Sequence, residues 1–307
     1  MFIEQGIRPE NKFWKYLLGS VLIIFASFVG QIPLVIAVIG KPFANGETYP
    51  STNEEVMRFF ESNVTLFLIL ISFVFAFAGI YLVVKHLHKQ TLLSVTTSRK
   101  KVDWNRIWFS FGLWSVFSIV STLVFYFFNP SLYILQFKPI PFAILVLIAV
   151  ALVPIQTSTE EYVFRGYLMQ GFGNLAQNKW FPLLMTSIIF GSMHLFNPEV
   201  SKLGNIIFVY YIGTGLFLGI LTLMDEGMEL ALGFHAANNL IGALLITSDW
   251  SAFQTHSIFK DISEPQAGFD VIMPVVLVYP VLLFIFSRKY QWTNWKEKLT
   301  GKVISNN

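Results

Sequence analysis

Apolar residues along this chain fall in long blocks separated by short polar stretches, and the length of the blocks decides the class of fold. Such blocks lie near Trp14 to Ile39, Val64 to Val84, Ile107 to Phe128, Ile140 to Ile155, Phe181 to Phe196, Asn205 to Met224, Leu230 to Ile246 and Val271 to Phe286. Roughly 20 helical residues cross a hydrocarbon core of about 30 Å, and a helix satisfies its own backbone there. The pattern predicts an all-α, polytopic membrane helical bundle of about eight transmembrane helices. Polar residues at membrane depth are almost absent before Pro139 and frequent afterwards, together with many glycines. Three regions follow: an N-terminal three-helix transmembrane region (1–139), a candidate catalytic core (140–248), and a region (249–307) with an extracytoplasmic loop, the last transmembrane helix and a basic cytoplasmic tail.

Composition removes the soluble alternative. Hydrophobic residues make up 54% of the 307 positions and charged residues only 13%, with a mean hydropathy of +0.60, against roughly 25% charged in an ordinary soluble domain. The apolar block after Trp14 is too long for the core of a signal peptide, so it counts as the first span.

Charge then orients the bundle. With eight crossings Lys12, Lys15, Lys85, Lys89, Arg99, Lys100, Lys101, Arg106, Arg288, Lys289, Lys296, Lys298 and Lys302 share one face, while Glu47, Glu54, Glu55, Glu61, Asp249, Asp261, Glu264 and Asp270 share the other. The Lys/Arg excess marks the cytoplasmic side, which puts both termini in the cytoplasm of a bacterial-type cytoplasmic membrane. The basic run Arg99 to Lys101 reads as a topogenic, anionic-lipid-facing segment and not as a nucleic-acid site. The chain has no cysteine, which excludes disulfides, thiolate chemistry and cysteine metal sites.

Against this apolar background one cluster stands out. Glu160 and Glu161 lie in a stretch that otherwise reads as membrane, where an ionisable group costs about 2.5–3.5 kcal/mol on insertion scales and needs partners. On a helix Glu161 and Arg165 share a face at i and i+4, whereas Glu160 is turned away by roughly 100°. Pro154 is expected to bend the chain just before them, with Ser/Thr at N-cap positions. His194 ends the block Phe190-Gly-Ser-Met-His, and His235 and Asn239 share a face at i and i+4 on a later helix. Taken singly, each of these later elements is accounted for as a packing histidine or an interhelical polar clamp. Together they supply what water activation needs: a desolvated carboxylate poised as a base, with imidazole and amide donors for an oxyanion.

Glu160-Glu161-x-x-x-Arg165, Phe190-x-x-x-His194 and His235-x-x-x-Asn239, in that order, resemble the motif set of the CPBP family of intramembrane proteases, which includes the CAAX prenyl proteases and bacteriocin-processing or immunity proteins. The resemblance covers about residues 140–248. It implies that Glu160 activates water with help from His194, that Glu161 and Arg165 support it, and that His235 and Asn239 hold the oxyanion. It also implies a peptide or membrane-protein substrate, in some members lipid-modified, met at the bilayer.

Two readings of the cofactor stay open. Glu160, His194 and His235 could form the two-His, one-carboxylate set of a catalytic zinc. The sequence has no His-Glu-x-x-His, and a glutamate-held water needs no ion, so the balance favours a site without tightly bound metal. By rise per residue Glu160 falls close to the cytoplasmic boundary and His194 deeper, so the site is expected to open to the cytoplasm. Elsewhere, Gly215-x-x-x-Gly219 reads as helix packing, His86, His88 and His256 as solvated loop residues, and Trp292 with Trp295 as an interfacial anchor. A non-catalytic scaffold or immunity protein that binds a partner is the alternative function. An ion or proton pathway is disfavoured, because the outer half of the spans offers few polar residues.

Overall fold

The computed structural model describes residues 1–46 and 48–303, so Glu47 of the acidic first loop lies outside the described residues, as does the side chain of Glu54. Eight helices carry the bundle: α1 (Phe13–Asn45), α2 (Ser62–Leu87), α3 (Trp104–Phe128), α4 (Pro139–Ala176), α5 (Trp180–Met193), α6 (Ile207–Asp225), α7 (Glu229–Leu245) and α8 (Phe269–Tyr290). Among the described residues six helices are long and apolar enough to cross a membrane: α1 to α4, α8, and α6 together with the short helix Pro198–Leu203 before it. The expected count of eight is not established, because α5 has only 14 residues and α7 only 17. Long rows of exposed apolar side chains, such as Phe25, Phe28 and Ile36 on α1, cover the outside. In water such rows would be an unsustainable patch; in lipid they are the solvent-matched surface. The protein is an integral membrane helical bundle.

Helix starts and stops follow local chemistry. Asp103 caps α3 by accepting from Asn105 N, and Glu61 caps α2 by accepting from Asn63 N and Val64 N, each satisfying otherwise unpaired first-turn donors. The N-cap expectation fails at α4. The helix runs through Pro154, and Thr157 and Thr159 are not caps: their hydroxyls donate back to Val153 O and Ile155 O, four residues earlier, a bond that hydroxyl side chains make inside helices. The irregularity comes later, as a wide π-helical turn over Tyr162–Leu168. Because α4 goes on to Ala176, Glu160 has 16 helical residues, about 24 Å, beyond it. It therefore lies within the bundle and not at a helix end.

At one end of the bundle the first residues and the last described ones, up to Val303, meet turns between the helices. Phe2 N donates to Glu226 Oε2 at 2.6 Å, Lys179 N to Gly301 O, and Val303 N to Gln177 O. The other end carries a small sheet in the order β1–β3–β2, with β1 (Tyr133–Leu135) antiparallel and β2 (Ile246–Ser248) parallel to β3 (Phe259–Asp261).

Several polar residues have work that their sequence context hid. Arg99 is not a free lipid-facing cation. It pairs with Asp225 and Glu229 at 3.1 Å each, and Arg106 joins Asp225 and Asp103, so the α6–α7 turn is clamped to the start of α3. Trp292 is buried and donates to the same Asp225 at 3.2 Å, so of the pair Trp292 and Trp295 the second alone is exposed in the manner of an interfacial anchor. His88 is buried between Asn11 and Tyr167, and burial, with nearby Lys15, pushes its imidazole down to about 4. His256 pairs with Glu61, whereas His86 is exposed as expected.

Close approach of α3 and α7 fixes where the site residues of α7 lie. A Cβ built at Gly233, two residues before His235, would stand 2.1 Å from Ile107 O, whereas one at Gly242 on the same helix meets nothing within 4 Å. Backbone atoms cannot give way as a side chain can, so Gly233→Ala is expected to destabilise by at least the ~1–3 kcal/mol of an overpacked core, with Gly242→Ala near neutral. Thermal unfolding of the two variants in detergent checks this; equal midpoints would sink the tight-contact reading.

Candidate active site

Glu160 and Glu161 are neighbours with opposite surroundings, as the 100° step per residue requires. Glu161 is fully buried, and its Oε1 accepts from Arg165 Nη1 at 3.0 Å and from His235 Nδ1 at 2.7 Å. Arg165, also fully buried, donates through Nη2 to Gly215 O at 3.3 Å and lays its guanidinium 4.3 Å above the ring of Phe190. Gly215 makes this reach possible: a Cβ there would lie 2.9 Å from Ser187 Cα, so α5 and α6 meet at backbone distance beside the arginine. Glu161 Oε2 and Arg165 Nε have no hydrogen-bond partner among the described residues.

Glu160 points the other way and stays partly accessible. Its Oε1 accepts from Gln156 Nε2 at 2.6 Å, and its Oε2 faces His235 Nε2 at 3.5 Å. A carboxylate accepts, so Glu161 Oε1 takes an N–H from His235 Nδ1, and Nε2 of the same ring is the atom that faces Glu160. Asn239 reaches the cluster through Gln156, donating Nδ2 to Gln156 Oε1 at 3.0 Å.

His194 stands apart from Glu160. It follows the last residue of α5, its Nδ1 donates to Phe190 O at 2.8 Å, and its ring stacks on Tyr211 with centroids 4.4 Å apart. Phe190 separates it from the rest, with its centroid 4.8 Å from His194 and 6.1 Å from His235. The structure thus brings Glu160, Glu161, Arg165 and His235 into direct contact, links Asn239 through one amide, and places His194 one aromatic ring away. The imidazole beside Glu160 is that of His235, where His194 was expected.

The zinc set does not form. Among the described residues no group of three or more His, Asp or Glu side chains comes together as a cation site, and His194 has turned its Nδ1 to its own helix. Glu160, His194 and His235 therefore do not fit a shared metal. Sequence reasoning missed Gln156, although it stands four residues before Glu160 at the spacing that disclosed the Glu161–Arg165 pair. Asn238 and Trp114 gave no signal of their own.

Fold and site together define a polytopic helical membrane protein with a carboxylate, imidazole and amide cluster at its core. Residues 138–241 match the family model described as type II CAAX prenyl endopeptidase Rce1-like. Over 255 residues, 82% of this chain and 85% of the other, the sequence is 31% identical to the uncharacterized protein YyaK of Bacillus subtilis (strain 168). No solved structure matches it. The chain belongs to the Rce1-like family of type II CAAX prenyl endopeptidases, a family of membrane proteases.

The buried ion pair makes its own prediction. Removing one member of such a pair strands the other charge at a cost of about 3–5 kcal/mol. Arg165→Met is expected to lose stability on that scale, and Glu161→Gln with Arg165→Met to recover much of it. Unfolding of the single and double variants in detergent decides the matter, and additive losses would argue against coupling.

Proposed function

We propose that the protein is an intramembrane endopeptidase in which Glu160 activates the attacking water. The observation that carries this reading is the facing pair Glu160 Oε2 and His235 Nε2, 3.5 Å apart, while the other oxygen and nitrogen of the two groups are engaged by Gln156 and Glu161. Two acceptors aimed at one place suit a water that donates to both. As that water attacks the scissile carbonyl carbon, its proton passes to Glu160 Oε2, and the amide π bond becomes an oxyanion. Asn239 retains one N–H beyond the one given to Gln156 and can donate to that oxygen. Collapse of the tetrahedral intermediate breaks the C–N bond, with Glu160 returning its proton to the leaving amine. Glu161 and Arg165 keep His235 in the tautomer the scheme needs, and His194, across Phe190, borders the place where a substrate peptide would lie.

Family membership supports, as substrate class, a peptide with a lipid-modified C-terminal CAAX sequence. The test is a farnesylated, fluorescence-quenched peptide with that ending, offered to the purified protein in detergent or vesicles. Parent protein should cleave it, and folded Glu160→Gln should lose at least about 100-fold in rate, the scale of general-base loss. Cleavage by Glu160→Gln at the parent rate sinks the glutamate-water mechanism. A parent that leaves the peptide intact rejects the CAAX substrate class and favours a partner-binding protein.

The basic end of the bundle, with Lys100, Lys101 and Lys296, is proposed to face the cytoplasm, and the end with Asp249, Asp261 and Glu264 the outside. Because the natural chain has no cysteine, single cysteines report cleanly. In intact cells Glu264→Cys should react with a membrane-impermeant maleimide and Lys296→Cys should not; the reverse pattern would invert the topology.

A further inference from the structure

Four hydrogen bonds in series connect the indole of Trp114 to the carboxylate of Glu160. Trp114 Nε1 donates to Asn238 Oδ1 at 3.1 Å, Asn238 Nδ2 to Asn239 Oδ1 at 3.0 Å, Asn239 Nδ2 to Gln156 Oε1 at 3.0 Å, and Gln156 Nε2 to Glu160 Oε1 at 2.6 Å. The series passes from α3 to α7 to α4, and its direction is dictated by its ends. An indole N–H only donates and a carboxylate only accepts, whereas an amide offers an acceptor on one side and donors on the other. With a donor fixed at one end and an acceptor at the other, all three amides have one orientation that satisfies every contact. Turning any of them over sets N–H against N–H on one side and oxygen against oxygen on the other. Trp114 is itself held firmly: buried, stacked on Phe117 with centroids 5.0 Å apart, and packed on Phe234 at 4.5 Å.

We infer that Trp114, Asn238 and Gln156 are positioning residues for the reaction: their amide series commits Glu160 Oε1 to accepting and leaves Oε2, the oxygen facing His235, to take the proton from water. The inference rests on Glu160 being the base. It also gives Asn239 a fixed attitude, because Asn238 and Gln156 claim its oxygen and one of its N–H groups before any substrate arrives. A carboxylate without this tether rotates about its terminal torsion, a broad two-fold well, and presents either oxygen. The tether should therefore act on the chemical step and leave substrate binding alone.

A double-mutant cycle separates this role from simple packing. Trp114→Phe keeps a ring in the same pocket and removes only the N–H and part of the indole; Gln156→Met keeps length and removes both amide contacts. With the farnesylated CAAX peptide, Trp114→Phe is expected to lower kcat about tenfold and Gln156→Met about ten- to hundredfold, the scale of a misplaced reacting group, with KM within about twofold for both. Changes at independent sites multiply, so the deciding value is the double variant, which should be no slower than Gln156→Met alone. The same absence of additivity should appear in thermal unfolding, which needs no substrate. If Trp114→Phe does not fold, Asn238→Leu takes its place in the cycle. Factors that multiply, or a loss carried by KM with kcat intact, overturn the inference. Failure of the broader reading looks different: there Glu160→Gln stays active, whereas an inactive Glu160→Gln with multiplying factors removes only the positioning role.

Discussion

A carboxylate that shares the interior of a lipid-facing bundle with an arginine is the constraint around which the rest of this structure is arranged. Glu161 and Arg165 are both fully buried, and in such surroundings the cost of desolvating two charges is offset only when geometry and additional hydrogen bonds are good. The chain meets this from several directions. A π-helical turn carries Arg165, Gly215 lets a backbone oxygen reach Nη2, Phe190 offers the face of its ring to the guanidinium, and His235 donates to the oxygen that Arg165 also uses. π-turns are rare and concentrate at functional sites. This one begins at Tyr162, directly after the glutamate pair.

Once Glu161 is held in this way, the properties of its neighbour follow. The helix step turns Glu160 out of the ion pair, so it meets Gln156 and His235 and stays partly accessible. His235 is shared between the two carboxylates, bonded to one and facing the other. A single imidazole thus links a structural charge to a group with spare reactivity. Any shift of α7 moves both contacts at once, and three features hold α7 in place. Gly233 presses on the α3 backbone, Ser110 donates to Leu230 O at 2.7 Å, and the clamp of Arg99 and Arg106 on Asp225 and Glu229 fixes the turn from which α7 starts.

How much of this was legible in the sequence depends on the range of the interaction involved. Hydropathy located the long spans, because lipid imposes a length on each segment by itself, and i,i+4 spacing disclosed the Glu161–Arg165 pair. The same logic overstated the hydroxyl residues after Pro154: the helix is continuous through the proline, and Thr157 and Thr159 bond back inside it where caps were expected. Arg99, Trp292 and His88 were read as surface residues because each follows a span, yet their partners lie on other helices, more than 60 positions away. No local pattern reports such pairings. Gln156 falls between these cases, since its spacing to Glu160 was visible and its bond to Asn239 was not.

The site also draws on more of the chain than its motifs do. The family model spans residues 138–241, and every motif residue lies inside it, but Trp114, Arg99 and Arg106 lie outside. The first three helices are thus more than a lipid-facing scaffold: α3 packs along α7, supplies the indole that fixes the amide series, and anchors the turn from which α7 starts. The likeness to YyaK extends in the same way, across 82% of this chain and well beyond the motif region. A glutamate and a histidine can be placed by a short motif. Holding one oxygen of that glutamate still, in a bundle whose outer surface is free to slide in lipid, takes contacts from a helix that carries no motif.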